Sequence, residues 1–394
     1  MGATYGPRVR IIVDANPMFP LSAQLGPTGV GRWTAGTISA LARCAPDWQI
    51  DLVAFHLRTA RLDVSWMGPN VTFHLLRFSN RLSRQMNVVG VFPPIDMFLG
   101  AADAVIGPAY VPWRSRSAAE IPVLHDLTHI RFPDFVSKRN LRYLRWTLPR
   151  VLRRAAAVVT VTETMQREII DAYEVPPQRV HVVPNGCDLD FFGESKSGRD
   201  RAGHGHPHPY LLFVGTLEPR KNLQGLLDAY DLLKARGVAP PPLVIAGGTG
   251  WRTEELDRSL VARRGRGDVH LLGYVSDDDL PGLYREAMAL ILPSHYEGFG
   301  LPVLEAMASG CPVIATDRGG IPDVAGDAAL LVEPTPTSIA DAIQRVISDP
   351  LLRDRLRTRG SERVLQFTWA KSGLALRSVV EEAVAIKQRS NRVR

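Results

Sequence analysis

Cysteine is nearly absent from this chain: three residues in 394, Cys44, Cys187 and Cys311, stand far apart with no paired spacing. That excludes a disulfide framework and a cysteine zinc site, and it fits a reducing cytosol. Long apolar runs are missing too. The first, Val9–Val13, stops at Asp14, so no signal peptide is expected. The longest weakly charged stretch, Val88–Gly107, is broken by Pro93-Pro94, Asp96 and Asp103, which disqualifies it as a spanning helix. A soluble or peripheral protein is expected. Acidic residues are sparse in the first half: residues 1–192 hold 21 Lys and Arg against 15 Asp and Glu, most of the net charge of +7. From Lys138 to Arg154 there are seven cations and no acid, with Tyr143 and Trp146 among them. A helix of this kind suits an anionic lipid surface, and it equally suits a solvated face. Nucleic acid is not an expected partner, because no recognition helix, zinc finger or stacking sheet accompanies the charge.

What is present is a long alternation of strands and helices. With 45% hydrophobic and 22% charged residues, the composition is globular, and the length allows two cores. Val9–Val13, Ile50–Phe55, Val71–Leu75, Ala104–Ile106, Ile121–Leu124, Val158–Val161 and Val180–Val183 predict a first parallel sheet. Tyr210–Val214, Leu243–Ala246, Val269–Leu272, Ala289–Leu292, Val313–Thr316 and Ala329–Val332 predict a second. The stretch 195–209 lacks large apolar residues and reads as a linker between domains 1–194 and 210–370, with 371–394 as a final helix. His204, His206 and His208 alternate in that linker, where a polar segment without second-shell partners is a better account than a metal site. In doubly wound α/β sheets, ligands bind outside the carboxyl ends of the strands.

The run from Ser294 to Ala315 carries the most chemistry. A buried strand, Ala289–Pro293, leads into a tight loop opened by Gly298 and Gly300, and Leu301–Ser309 reads as a helix stopped by Gly310. Glu297 therefore falls in the loop and Glu305 about two turns into the helix. A glycine loop at a helix N-terminus presents free backbone N–H groups and the positive end of the helix dipole, which suits a diphosphate. The carboxylates add acceptors for sugar hydroxyls, at roughly 1.5–3 kcal/mol for each such hydrogen bond. Together these features point to a nucleotide sugar.

Glu297, seven residues and Glu305 in this setting resemble the retaining glycosyltransferases of the GT-B architecture, family 4 or "group 1". Pro312-Val313-Ile314-Ala315-Thr316, Gly319-Gly320-Ile321-Pro322-Asp323 and the stretch Phe213-Val214-Gly215-Thr216-Leu217-Glu218-Pro219-Arg220-Lys221-Asn222 extend the resemblance. It covers nearly the whole chain and is strongest after residue 209. The bacterial mannosyltransferases of polysaccharide and O-antigen assembly are closest in look. The resemblance implies two Rossmann-like α/β domains facing across a deep cleft, the first binding acceptor and the second the nucleotide sugar, with the last helix crossing back. It implies that Lys221 neutralises the leaving diphosphate, with Arg220 beside it and Thr216 offering a hydroxyl. Relatives often carry Arg at the position of Thr216 and a loop one residue longer, and Arg220 is read as the compensation. Glu305 would hold the ribose and Glu297 would face the transferred sugar. Backbone groups of Phe299, Gly300 and Leu301 would hold sugar and phosphate, and the base would pack near Gly273-Tyr274-Val275. In the first domain, Gly29-Val30-Gly31 resembles the loop that approaches phosphate and acceptor, although by its residues alone it is as readily a simple turn. His125 matches the family's cleft histidine, with Asp126 orienting it, and Thr162 stands where relatives often place Ser.

Two acidic clusters are set aside. Asp188-Leu189-Asp190 mimics an Asp-x-Asp metal motif but follows Pro184-Asn185-Gly186 in a turn, and Asp277-Asp278-Asp279 fits N-capping. Metal-independent transfer, with no cofactor, is expected. No glycosidase-like pair of carboxylates can be read, and the resemblance implies a front-face substitution in which the leaving diphosphate deprotonates the acceptor. The resulting expectation is a retaining hexosyltransferase, peripheral on the inner face of a bacterial membrane. It would move mannose from GDP-mannose onto a polyprenyl-diphosphate-linked oligosaccharide. Other donors (UDP-glucose, UDP-N-acetylglucosamine, dTDP-rhamnose) and an epimerase or hydrolase on the same frame stay open. A binding protein would have lost Lys221, Glu297 or Glu305, and a dehydrogenase would need a third glycine after Gly29-Val30-Gly31.

Overall fold

A computed structural model describes residues 9–19, 28–57, 62–193, 208–248, 250 and 254–392. Most of the predicted linker, with His204 and His206, lies outside the described residues. All thirteen predicted strands form, their ends shifted by at most two residues.

In the first unit, β1 (Arg10–Asp14), β2 (Gln49–Phe55), β3 (Val71–Leu76), β4 (Ala104–Gly107), β5 (Ala119–Leu124), β6 (Val158–Thr160) and β7 (Val180–Val182) make one parallel sheet. Its order is β3-β2-β1-β4-β5-β6-β7. The central strands are covered on both faces, which is why they read as unbroken apolar runs; β5 is buried along its whole length. The connections are built on α1 (Gly29–Cys44), α2 (Asn80–Val89), α3 (Asp96–Leu99), α4 (Thr128–Arg131), α5 (Lys138–Arg154) and α6 (Glu163–Tyr173). Ile12, Val53, Phe55, Val105 and Trp113 fill one core layer, and Leu124, Leu152, Val158 and Ile169 fill another.

The second unit opens with α7 (Leu189–Gly193) and contains β8 (Leu211–Val214), α8 (Leu223–Ala235), β9 (Leu243–Ala246), α9 (Glu254–Gly265), β10 (Val269–Gly273) and α10 (Leu280–Glu286). It continues through β11 (Ala289–Leu292), α11 (Leu301–Ala308), β12 (Val313–Thr316), α12 (Ile321–Ala325), β13 (Leu330–Val332), α13 (Pro336–Ser348) and α14 (Pro350–Val364). Its six parallel strands run in the order β10-β9-β8-β11-β12-β13. Residues Cys187–Gly193, which the sequence places in the first domain, group with this unit. The chain then returns to the first unit as α15 (Trp369–Arg392), which lies against α1 and buries Leu376, Val379, Val380 and Ala383.

Each sheet has a point where the strand order reverses, β1 beside β4 in the first and β8 beside β11 in the second. The loops leaving those strands at their carboxyl ends diverge to opposite faces and leave room between them for a ligand.

Candidate active site

In the second unit, the loops after β8 and β11 are tied together. Asn222 donates its side-chain amide to the carbonyls of Pro293 and Pro334, both at 3.0 Å, and the backbone N–H of His295 donates to the carbonyl of Arg220 at 2.9 Å. Arg220 and Lys221, on the short 3-10 turn Pro219–Lys221, thereby face Glu297. Lys221 Nζ lies 2.6 Å from Glu297 Oε1 and Arg220 lies 2.8 Å from Oε2, while the Ser294 hydroxyl donates to Oε1 at 2.7 Å. Arg220 is held further by Glu218 at 2.8 Å and by the carbonyl of Tyr296 at 2.8 Å. Burial opposes ionisation of Glu297, but the charges of Arg220 and Lys221 and the hydrogen bonds from Lys221 and Ser294 outweigh it and hold the carboxyl at about 2. The sequence turns this carboxylate towards a sugar; the structure turns it onto the two cations. Thr216 is exposed at the start of the same loop.

Beyond Glu297 the chain turns into α11 through Gly300, whose φ is +87°. The backbone N–H groups of Phe299, Gly300 and Leu301 have no acceptor among the described residues. Phe299 is buried with its ring edge-on to Phe367. Gly320 N–H donates to the Glu297 carbonyl at 2.8 Å, and a Cβ on Gly319 would lie 2.2 Å from that same oxygen at a φ of +60°, so this closing loop requires glycine. Glu305 is buried in α11, where the Tyr284 hydroxyl of α10 donates to its Oε2 at 2.8 Å. Tyr284 and Ser294 are functional candidates that the sequence left unmarked. Ser294 was within reach, being three residues from Glu297; Tyr284 required the packing of α10 on α11. At the end of β10, Tyr274 is exposed and Val275 buried.

In the first unit, His125 follows β5 and donates Nε2–H to the Pro108 carbonyl beyond β4 at 2.9 Å, which leaves Nδ1 as an acceptor. Trp33 meets its ring edge-on at 5.4 Å. Burial, only partly offset by the Pro108 hydrogen bond and the Asp126 charge, lowers its pKa to about 4, so the ring is neutral at pH 7. Two expectations change here. Asp126 does not orient His125 by a hydrogen bond: its carboxylate accepts from the Tyr110 hydroxyl at 3.2 Å and from the Thr128 N–H at 3.0 Å. Gly29-Val30-Gly31 is the first turn of α1 rather than a loop before it, and the Gly31 N–H is taken by the Thr28 hydroxyl at 3.1 Å. Gly31 is needed because a Cβ there would lie 2.4 Å from the Pro17 carbonyl. Thr162 caps α6, accepting from the Met165 N–H at 3.2 Å. The carboxyl end of β1 also holds a pair the sequence did not single out, buried Asp14 bound to Arg84, whose guanidinium lies 5.6 Å from the Trp113 ring centre.

Of the acidic clusters, Asp188 accepts from the Phe191 N–H at the start of α7. Asp279 stands at the N-cap of α10 without a side-chain capping bond, because its carboxylate takes the Ser276 hydroxyl at 2.6 Å instead. Among the described residues, no three His, Cys, Asp or Glu side chains are grouped to hold a metal ion.

A sucrose-phosphate synthase of Thermosynechococcus elongatus shares this fold at a TM-score of 0.72 and 21% identity, over 96% of this chain and 100% of that one. Two parallel doubly wound units on this plan define the GT-B glycosyltransferases. Residues 74–191 match the model of Glycosyltransferase Family 4, and residues 196–363 match that of Glycosyl transferases group 1. O-antigen chain mannosyltransferase B of Escherichia coli is 34% identical over 268 residues, 66% of this chain and 69% of that protein. The MMP α-(1→4)-mannosyltransferase of Mycolicibacterium hassiacum is 31% identical over 242 residues, 60% of this chain and 56% of that protein. The chain belongs to the group 1 glycosyltransferases and is a hexosyltransferase.

Proposed function

We propose that the protein transfers mannose from GDP-mannose, with retention of configuration, to a polyprenyl-diphosphate-linked oligosaccharide, working as a peripheral protein at the inner face of a bacterial membrane. The observation that carries the donor reading is the pairing of Arg220 and Lys221 on one ionised carboxylate, beside the three unengaged N–H groups that open α11. Relatives named as mannosyltransferases, one of them of the O-antigen chain, support mannose and the acceptor class. The basic helix α5 supports an anionic surface.

In this reading Glu297 keeps the two cations in place rather than acting as a proton carrier, since a carboxyl held at about 2 stays ionised through the neutral range. The bond from the sugar C1 to the β-phosphate oxygen breaks, its electron pair goes to the diphosphate, and Lys221 with Arg220 neutralises that charge; pre-placed donors of this kind contribute on the order of 10²–10³ in rate. The acceptor hydroxyl gives its proton to the leaving diphosphate and bonds to C1 on the same face. Glu305 takes the ribose hydroxyls, Thr216, Phe299, Gly300 and Leu301 take phosphate and sugar, and the base rests by Val275. Neutral His125 offers Nδ1 to a hydroxyl of the reacting sugars. No metal is assigned, because the protein's own cations supply the charge.

Thermal-shift binding of GDP, UDP, dTDP and ADP in EDTA tests this. Selective stabilisation by GDP, about 2.7 kcal/mol at one hundred times its Kd, is expected. Selective stabilisation by another nucleotide would replace the donor, and a requirement for added divalent cation would overturn metal independence. Consumption of GDP-mannose at the same rate with and without lipid-linked acceptor would favour the epimerase or hydrolase.

A further inference from the structure

Across residues 77–95 the chain carries three arginines, Arg77, Arg81 and Arg84, and no acid. On the α2 segment of that stretch, Ser83, Asn87 and Val88 face inward, while Leu82 and Val89, seven positions apart on the opposite side, are each more than half exposed. Val91 and Met97, just beyond, are also more than half exposed. Four such side chains within sixteen positions are denser than the single scattered exposures of an ordinary surface and point to an interaction site. Beneath them is a floor of rings: Phe78, itself partly exposed, meets Phe92 and Phe98 edge-on and Phe55 at a tilt, and Trp113 closes the cluster. Val88 of α2 and Val151 of α5 belong to one small apolar cluster with Val111, and Tyr143 of α5 packs on it. The outer side of α5 presents Arg142, Arg145 and exposed Trp146, with Arg150 lying 4.3 Å over the indole.

Resting on the membrane reading above, we propose that α2 and the segment through Met97 form the apolar, inserting part of a docking face for an anionic bilayer, with α5 as its electrostatic part. The occupant follows from the chemistry. Exposed Arg77 and Arg81 beside the first segment and the acid-free arginine run of α5 match anionic headgroups, Arg84 being taken by Asp14 and Asp96 by the Ser115 hydroxyl and the Arg116 N–H; an interfacial Trp suits the headgroup level, and exposed Leu, Val and Met suit the acyl boundary below it. A second copy of the same chain would bring cation against cation.

The full chain is sedimented with vesicles of phosphatidylcholine alone and with about one third phosphatidylglycerol, at about 0.05 M and about 0.5 M salt. Wild type should bind the anionic vesicles and keep a salt-resistant fraction. Leu82→Ser/Val89→Ser/Val91→Ser should retain low-salt binding and lose that fraction at least fivefold, whereas Arg142→Glu/Arg145→Glu should lose the low-salt binding. Val89→Trp should raise the salt-resistant fraction. If wild type binds and the serine variant and Val89→Trp both match it, this inference is wrong while the membrane reading stands. If wild type ignores every vesicle, both fail. Concentration-dependent self-association abolished by the serine variant would reassign the face to a second copy.

Discussion

Tyr284 and His125 show what single atoms settle in this molecule. The Tyr284 hydroxyl is buried against Glu305 Oε2, and a hydrogen bond to a charged group is worth about 1.5–3 kcal/mol. Tyr284→Phe should therefore raise the nucleotide-sugar KM roughly tenfold or more while kcat stays within about twofold, with an unchanged circular dichroism spectrum. An unaltered KM would take Glu305 out of donor recognition. His125, lowered by burial to about 4, binds its proton less readily in the native protein than in the unfolded chain, whose value is near 6.5. The unfolded state thus holds more protons between those values, so stability present above pH 6.5 is lost as pH falls towards 4, by on the order of 2–3 kcal/mol. Denaturant unfolding across that range should show the loss, and His125→Asn should remove it. Glu297 acts in a separate, lower window: its depressed carboxyl stabilises above about 4.5, and that contribution disappears as pH falls to about 2.

At the level of elements, position within the fold separates capping residues from site residues of the same type. Thr162 lies two residues beyond β6, where a side chain could serve a ligand, yet its hydroxyl accepts from the third residue of α6. Thr162→Ala should cost about 1 kcal/mol of stability, as loss of an N-cap does, and leave kcat/KM unchanged. A tenfold loss of activity at wild-type stability would return Thr162 to the site. The helix α5 was legible end to end, Lys138–Arg154, because an acid-free cationic run with apolar residues at helical spacing has few other solutions. The start of α1 was not legible. Glycines usually signal a loop, and only the backbone of Pro17 lying against Gly31 explains why that glycine sits in a helix's first turn.

For the whole molecule, the chain order and the spatial order differ at one decisive place. The first unit is completed by α15, more than 180 residues after the rest of it, and at about 1.5–3 kcal/mol per fully buried aliphatic side chain, Leu376, Val379 and Val380 account for much of a typical stability of about 5–15 kcal/mol. Deleting Trp369–Arg394 should abolish the first unit's cooperative calorimetric transition and leave one from the second, which holds its own core of Leu226, Tyr230, Ile245 and Ile343. Two surviving transitions would show that α15 is dispensable.

By itself the sequence determined both parallel sheets, strand by strand, the glycine turn into α11 and the places of Glu297 and Glu305 along the chain. These are local properties, written in apolar runs, helical periodicity and turn residues that act over a few positions. Only the tertiary structure decided which groups the carboxylates meet. It set Lys221 against Glu297 across 76 residues, gave Glu305 its partner on α10, and turned Asp126 from His125 towards Tyr110. The reason is geometric: β8 and β11 are neighbours only because the strand order reverses between them, and an ion pair exists only where two loops are brought within a few ångströms, a distance that spacing in the chain does not encode.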